Sequence, residues 1–332
     1  MSQVKKIIFM AGKFLEDLRR PRQAYRIAAD LQSPELKHYY FLFEEKRIAR
    51  GKDQRLIGRF DENGIPLNKT YIDVHDKDYV YFPISIGQMG LAVWHSWLES
   101  GRNEDLQRFI KFADWFLANA EESPELGVRW LSDVPLPAYG NPGPWQSAFA
   151  QARGISILLR AYQQSGNKAY LTTAEKALIP FTLPVSKGGV TRFTSSGPFY
   201  EEYPADVPVL VLNGMIFSLL GVYDFVRVFP EKEAARTIFD SGLSTLEAML
   251  PEFDLGYWSR YNLCRREGYP EIDPATIGYQ RLHATQLELL YRMSGRPLFK
   301  HYAGRFREQD KMINILQMYR VKFRALKQIG RL

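Results

Sequence analysis

Cysteine is almost missing from these 332 residues: Cys264 stands alone, so no internal disulfide can form and no cysteine-based zinc cluster can be built. Histidine is scarce as well, and His38, His75, His95, His283 and His301 show no metal-ligand spacing, so no metal is expected. The sequence has no phosphate-binding glycine loop, no dinucleotide fingerprint and no serine-nucleophile elbow. Long apolar runs are lacking too. The longest, 208–229, is interrupted by Asn213, Asp224 and Arg227 and reads as a helix buried in a core rather than a membrane span. The opening residues hold an apolar stretch broken by Lys13 that is too short for an ordinary signal peptide, so a cytoplasmic chain is expected.

What is present is an ordinary globular composition, 45% hydrophobic, with a heavy aromatic share of 19 Tyr, 21 Phe and 6 Trp. Disorder, collagen and coiled coil are excluded on that ground. The net charge of +7 is unevenly spread. Residues 1–60 hold 14 basic and 7 acidic side chains, and residues 296–332 hold 10 and 2, while the stretch between them holds 20 and 28. Basic ends thus flank an acidic body. The tail from Arg320 onward reads as a basic amphipathic helix, which suits an anionic polymer, a lipid surface or an acidic partner, or equally a solvated helix face.

Four segments share one plan, a helix with small residues, a short turn, then a second amphipathic helix. The turns fall at Ser100-Gly101, Ser165-Gly166, Pro230 and Ser294-Gly295. Around them the paired helices are expected at 82–100 and 103–120, 145–162 and 167–178, 209–229 and 231–250, and 279–293 and 297–311. Leu106, Phe109, Ile110, Ala113 and Phe116 repeat at the spacing of one helix face. The first helix of each pair is the more apolar, with Gly87, Gly90, Ala148, Ala150, Gly214 and Gly221, which suggests an inner layer packed closely on its neighbours. The expected fold is mainly α: an (α/α) toroid or barrel of about four helical hairpins with short β-hairpins in the loops. Strands are expected in 64–75 and 79–82, and again after Gly188. Residues 1–60 read as a basic helical extension outside the toroid, 61–311 as the (α/α) domain, and 312–332 as a separate basic helix.

Three strings could carry chemistry. Phe199-Tyr-Glu-Glu-Tyr-Pro204 sets two carboxylates beside two phenols at the entry to an apolar helix. Such groups are costly to desolvate unless paired, and such crowding shifts pKa values at working sites; the alternative is a surface turn ended by Pro204. In the second string, running from Phe253 to Arg266, Tyr257, Trp258 and Tyr261 could form a stacking floor for sugar rings, with Arg260, Arg265 and Arg266 facing anions. The alternative is a loop that packs its own aromatics. In the third, Tyr279 and His283 lie four apart on one helix face, where a lone histidine is commonly a core residue.

Here the residues converge on a family. The Phe199–Pro204 string and Val211-Leu-Asn-Gly-Met-Ile-Phe-Ser-Leu-Leu-Gly-Val-Tyr-Asp224 resemble the C-terminal catalytic domain of D-glucuronyl C5-epimerases. So do the segments at 81–91, 145–156 and 246–256, and the likeness runs in order from about Gly64 to about Phe299. It implies an (α/α) barrel that converts D-glucuronic to L-iduronic acid within a heparosan- or heparan-like polymer, without a cofactor. Carried over by position, it implies catalytic roles for Glu202, Tyr261 and Tyr279. Substrate contacts are implied for Tyr203, Arg265, Arg266, Arg281, His283, Trp145, Gln88, Gln151 and Asn213. Three departures stand out: Cys264 replaces an expected arginine, Gln280 replaces a histidine, and Arg281 replaces a small residue. The resemblance would make this a bacterial-type version, expected to lack the larger β-barrel that precedes this domain in animal relatives. The implied partner is an anionic uronate-containing polysaccharide. A homodimer and peripheral contact with a membrane or a polysaccharide synthase are left open; nucleic acid is not expected.

The chemistry wants these groups. Taking the hydrogen from C5, alpha to a carboxylate, builds a second negative charge unless that carboxylate is protonated or clamped by cations, which is work for Arg265, Arg266 or Arg281. Inversion then needs two proton-transfer groups on opposite faces, with Glu202 and either Tyr279 or Tyr261 as the pair. Three other readings use the same residues: a lyase expelling the C4 substituent, a helical-repeat protein that only binds polymer, and a glycoside hydrolase drawing on Glu201, Glu202 and Asp254.

Overall fold

A computed structural model describes residues 12, 14, 15, 25–45, 48, 57–70, 74 and 79–330. The helical hairpins lie where the periodicity places them. They are α1 (Pro83–Ser100) with α2 (Asn103–Ala118), α3 (Ala148–Ser165) with α4 (Lys168–Lys176), α5 (Leu212–Val228) with α6 (Glu233–Met249), and α7 (Ile277–Ser294) with α8 (Pro297–Glu308). A further helix, α9, spans Met312–Gln328. Gly101, Gly166 and Gly295 end α1, α3 and α7 with φ of 64°, 71° and 70°, the left-handed conformation that stops a helix with little strain only at glycine.

The first helices form the inner layer. All of α5 except Val228 is buried, and it packs on α3, which in turn packs on α1, while α7 packs on α5. A Cβ at Gly221 would stand 2.3 Å from the Ala152 carbonyl oxygen, so glycine is what lets α5 lie this close to α3. The two helices are also joined by a fully buried ion pair, Arg160 to Asp224 at 2.7 Å. The outer helices are amphipathic, α2 burying Phe109, Phe112, Ala113 and Phe116.

Short antiparallel strands occupy the loops. β1 (Ile57–Phe60), β2 (Pro66–Lys69) and β3 (Tyr79–Tyr81) make a three-stranded sheet with Leu67 opposite Tyr81. Part of the hairpin expected at 64–82, namely 71–73 and 75–78, lies outside the described residues. Two-stranded pairs follow: β4 (Glu121–Ser123) with β5 (Gly127–Arg129), β6 (Leu131–Ser132) with β7 (Trp145–Gln146), and β8 (Thr191–Thr194) with β9 (Gly197–Tyr200).

The ends differ from expectation. Residues 25–44 contain no helix and do not lie outside the domain, and most of the remainder of 1–60 falls outside the described residues. Tyr39, Tyr40 and Phe41 are buried in the main core instead. The segment is tied down by Leu36 N–H to Gln163, Tyr39 N–H to His95 Nε2 at 2.9 Å, and Arg227 Nε to the Ser33 carbonyl at 2.8 Å. The physical reason is that three consecutive large aromatics outweigh the charges around them. At the other end, α9 buries Ile315 and Met318 against Trp258, Ala275 and Ile277. Among the described residues no helix is long and apolar enough to cross a membrane.

Candidate active site

The hairpin β8–β9 delivers the acidic-aromatic string. Thr191 pairs with Tyr200, and the chain leaves the strand at Glu201 with its N–H on the Val190 carbonyl. The Glu201 carboxylate, fully buried, accepts the N–H groups of Val209 and Leu210, both at 2.9 Å. Leu210 has φ 55°, a left-handed conformation that costs a non-glycine residue roughly 1–2 kcal/mol. Glu201 therefore builds the turn into α5 rather than facing a ligand.

Glu202 is the group that turns toward the phenols. Asn213, in the first turn of α5, donates to its Oε2 at 3.4 Å, and a Cβ at Gly214 would collide with the same carboxyl. Burial pushes its pKa up from 4.5 to about 7; bonds from Tyr203 and Asn213 pull it down, and Glu201 nearby raises it. A carboxyl so placed exchanges a proton near neutrality.

Tyr261 comes from the loop between α6 and α7, held by its N–H on the Asp273 carbonyl at 2.8 Å and by its own carbonyl, which accepts the Leu212 N–H at 3.2 Å. Tyr279 stands in the first turn of α7, which Thr276 caps, and its ring centroid is 5.0 Å from that of Tyr261. Burial, then the neighbouring Tyr203, Glu202, Tyr279 and Tyr139, push the Tyr261 phenol well above its ordinary pKa. It stays protonated at neutral pH, the state of a proton donor. Tyr203, Tyr261 and Tyr279 are each half-buried, so the cluster is open to solvent.

An aromatic wall continues from there. Tyr139 stacks on Tyr203 at 5.4 Å and on Tyr269 at 5.5 Å, and Trp145 meets Tyr203 edge-on at 5.5 Å. A hydrogen-bonded relay stiffens it: Lys322 on α9 donates to Asp273 at 2.6 Å, the Tyr269 hydroxyl donates to Asp273 at 2.8 Å, and Asn262 donates to Tyr269 at 2.7 Å. Lys322 Nζ also lies 5.6 Å from the centre of the Tyr261 ring. Trp145 precedes α3, Glu202 abuts the start of α5, and Tyr279 opens α7, so the N-terminal ends of three inner helices meet here. Several of their first N–H groups are already taken, by the Glu201 carbonyl and Ser147 at α3, the Tyr261 carbonyl at α5 and Thr276 at α7, so it is the helix dipoles that favour a bound anion.

The sequence profile described as D-glucuronyl C5-epimerase C-terminus matches residues 129–308, more than half of the chain. The chain belongs to this epimerase family. D-glucuronyl C5-epimerase of Caenorhabditis elegans is 29% identical over 191 residues, covering 54% of this chain and 31% of the worm protein. An uncharacterized protein of Methanocaldococcus jannaschii, MJ1128, is 29% identical over 203 residues, covering 60% of this chain and 63% of that one. This chain thus spans less than two thirds of either relative. The crystal structure of PssZ from Listeria monocytogenes is 12% identical, covering 86% of this chain and 95% of that one with a TM-score of 0.33, a likeness too slight to build on.

Against the epimerase family's pattern, the expected residues divide. Glu202, Tyr203, Tyr261 and Tyr279 come together, with Trp145 as part of the wall and Asn213 holding the carboxyl rather than reaching solvent. Gln88 is half-buried in α1. Arg266 lies against Gly140, where a Cβ would stand 2.7 Å from its Nε, beside Tyr139. Arg265 points outward, 87% exposed and paired with Glu252 at 3.8 Å. Arg281 turns away from Tyr279, since residues two apart do not share a helix face, and pairs with Asp310 at 2.8 Å.

Two expected substrate contacts are corrected. Gln151 is sealed inside, donating to the carbonyls of Val128 and Ala177 and accepting from Trp130 N–H. His283 is likewise fully buried, its Nδ1 2.9 Å from Ser259 Oγ, and burial lowers its pKa to about 3, so the ring is neutral. Gln280 ties the 254–260 loop to α8 through Ser259 and the Phe306 carbonyl. Of the expected sugar floor Tyr261 reaches the cluster, whereas Trp258 is buried with its N–H on the Ala275 carbonyl and Tyr257 packs against that buried ring.

Sequence reasoning missed Tyr139, Tyr269 and Lys322. No local pattern marks the first two, and Lys322 lies beyond the family match, in a helix whose basic charge read as generic. Two cavities flank the wall. One of about 530 Å³ is lined by Arg260, Arg265, Arg266 and Tyr269 together with Glu252 and Glu271, and another of about 670 Å³ by Trp145, Gln146, Arg192 and Pro204 among others. Among the described residues no group of three or more His, Cys, Asp or Glu side chains could hold a metal ion.

Proposed function

We propose that this chain inverts C5 of uronate residues in an anionic polysaccharide, converting D-glucuronic to L-iduronic acid in a heparosan- or heparan-like polymer. Burial raises both Glu201 and Glu202 to about 7, and the observation that carries the reading is where the second of them stands: Glu202, not bound into the turn, is gathered with protonated and partly open phenols at the mouth of an aromatic wall. The same reading takes the four hairpins as an (α/α) toroid, supported by the inner helices packing in succession. Family membership supports the class of reaction; the polymer and the roles below are our inference.

Glu202, as carboxylate, takes the C5 hydrogen as a proton, and the electron pair left behind spreads into the substrate carboxyl group. Tyr261 then gives its phenolic proton to the opposite face of C5, forming the new C–H bond. Glu202 and the tyrosinate regain their starting states through solvent, and the reverse reaction exchanges the roles. Arg266, Lys322 and the helix N-termini supply the positive field that the doubled negative charge requires. A hydrolase would need a second free carboxyl, whereas Glu201 is committed to its turn and Asp254 to Arg305 and Gln309.

The test is incubation with N-deacetylated, unsulfated heparosan-type polymer in D2O, read by NMR at C5. Deuterium entering at C5 with formation of iduronate is expected. A product absorbing in the ultraviolet would show elimination instead, and no deuterium in any uronate polymer would remove the epimerase reading. Because Glu202 must be ionised, activity should rise with pH up to about 7, roughly tenfold per unit below it, and then level off. Lys322→Met should raise KM about tenfold by removing a charge-assisted contact and loosening Asp273, with Lys322→Arg retaining most of the affinity.

A further inference from the structure

The outward face of α9 takes no part in the site, and it carries four of the large apolar side chains that stand exposed among the described residues. Helix α9 contains no acidic residue along Met312–Gln328. At about 100° per residue, Met312, Ile313, Leu316, Arg320, Phe323, Arg324 and Lys327 fall within an arc of about 120°, opposite the buried Ile315, Met318 and Ala325. The apolar members of that arc stand in solvent: Met312 is 53% exposed, Ile313 72%, Leu316 55% and Phe323 41%. Arg320, Arg324 and Lys327 are exposed with no ion pair among the described residues. Ile313, Leu316, Arg320 and Arg324 line a surface groove of about 480 Å³. Phe14 packs edge-on against Tyr319 at 5.0 Å, which brings the exposed Leu15 alongside the helix.

We infer that this face is a peripheral docking surface for a bilayer carrying anionic lipid. Large exposed apolar side chains interleaved with cations match the two layers of such a surface, acyl chains below and phosphate groups above. A second copy of the chain fits less well, because α9 holds no acidic residue in either copy to meet Arg320, Arg324 and Lys327. An anionic polysaccharide would satisfy the cations but leave the four apolar side chains in water. The inference is independent of the reaction proposed above, since none of these residues lines the tyrosine cluster.

The experiment is flotation of the full chain with vesicles of phosphatidylcholine alone or with one third phosphatidylglycerol. Binding only to the anionic vesicles, weakened by salt, is expected. Arg320→Glu with Arg324→Glu should reduce it by at least about thirtyfold. Leu316→Ser with Phe323→Ser should reduce it about tenfold or more while leaving the charge intact. All four positions are exposed, so melting temperature should hold in both variants. Absence of flotation with the unaltered chain would overturn the proposal, as would flotation insensitive to both variants. A concentration-dependent dimer abolished by the Leu316 and Phe323 changes would also overturn it in favour of a second copy, and retention on heparosan-type polymer without vesicle binding in favour of a polymer track.

Discussion

Glu202→Gln should lower the rate of C5 hydrogen exchange by about a hundred- to ten-thousandfold, the usual contribution of a positioned general base. Glutamine keeps the volume and an oxygen for the Asn213 amide but cannot take a proton. Tyr261→Phe should lose a similar factor, and because the two groups act on one substrate atom the double variant should be little worse than either alone. Exchange is measured in D2O by NMR against the unaltered chain. Wild-type exchange in Glu202→Gln would remove Glu202 from the mechanism and with it the proposed pair.

The same substitution carries a stability signature that separates lost chemistry from lost folding. The folded pKa of Glu202 is raised from 4.5 to about 7, so the folded chain binds more protons than the unfolded chain between those values. The stabilisation this confers is complete below about pH 4.5 and is lost as pH rises through about 7. Glutamine stays neutral throughout, so the variant should be more stable than the parent at pH 8, by up to about 3 kcal/mol, and similar at low pH. Melting curves at pH 5 and 8 check the sign. Inactivity together with a lower melting temperature at pH 8 would point to a damaged fold instead.

The second large effect concerns the core. Asp224→Ala should destabilise the domain by about 3–5 kcal/mol, seen as a lower urea midpoint with an unchanged slope. Arg160 and Asp224 form an ion pair with both side chains fully buried, and Arg227 lies 3.8 Å from the same carboxylate. Arg153, also buried, has no hydrogen-bond partner for its guanidinium. It is caged by rings, with Tyr39, Phe149 and Phe217 each 4.8 Å from its carbon and Phe43 at 5.3 Å. Deleting Asp224 thus strands Arg160 without a carboxylate and removes the acid that acts on Arg153 at longer range, while Arg227 keeps Asp30 at 3.7 Å. Replacing the pair together, Arg160→Met with Asp224→Leu, should restore part of the loss, since the charge that is stranded by the single change is then gone.

Much of this was legible in the residue order because the signals were local. Helical periodicity and the turn glycines marked the hairpins to within a few residues, and α2 buries the face that its spacing predicts. The adjacent acids and phenols of the Phe199–Pro204 string marked the place where burial would perturb a carboxyl. Burial raises both glutamates, and which of them faces the phenols was not legible: Glu201 and Glu202 are chemically identical neighbours, and only the chain path after β9 sends one into the Val209–Leu210 turn and the other toward Tyr261. Arg265 and Arg266 divide in the same way, one facing solvent and the other lying on Gly140.

What the amino-acid order determined alone is the helix-pair plan and the family, because both rest on short-range patterns that survive any arrangement in space. Tertiary structure alone decided that Tyr139 and Tyr269 extend the wall, that Leu36, Tyr39, Tyr40 and Phe41 enter the core, and that Lys322 reaches Asp273 from 49 positions away. It also sealed Gln151 and His283 behind their own hydrogen bonds. Such pairings depend on which faces meet when the inner helices pack, and a sequence read along one dimension carries no record of that geometry.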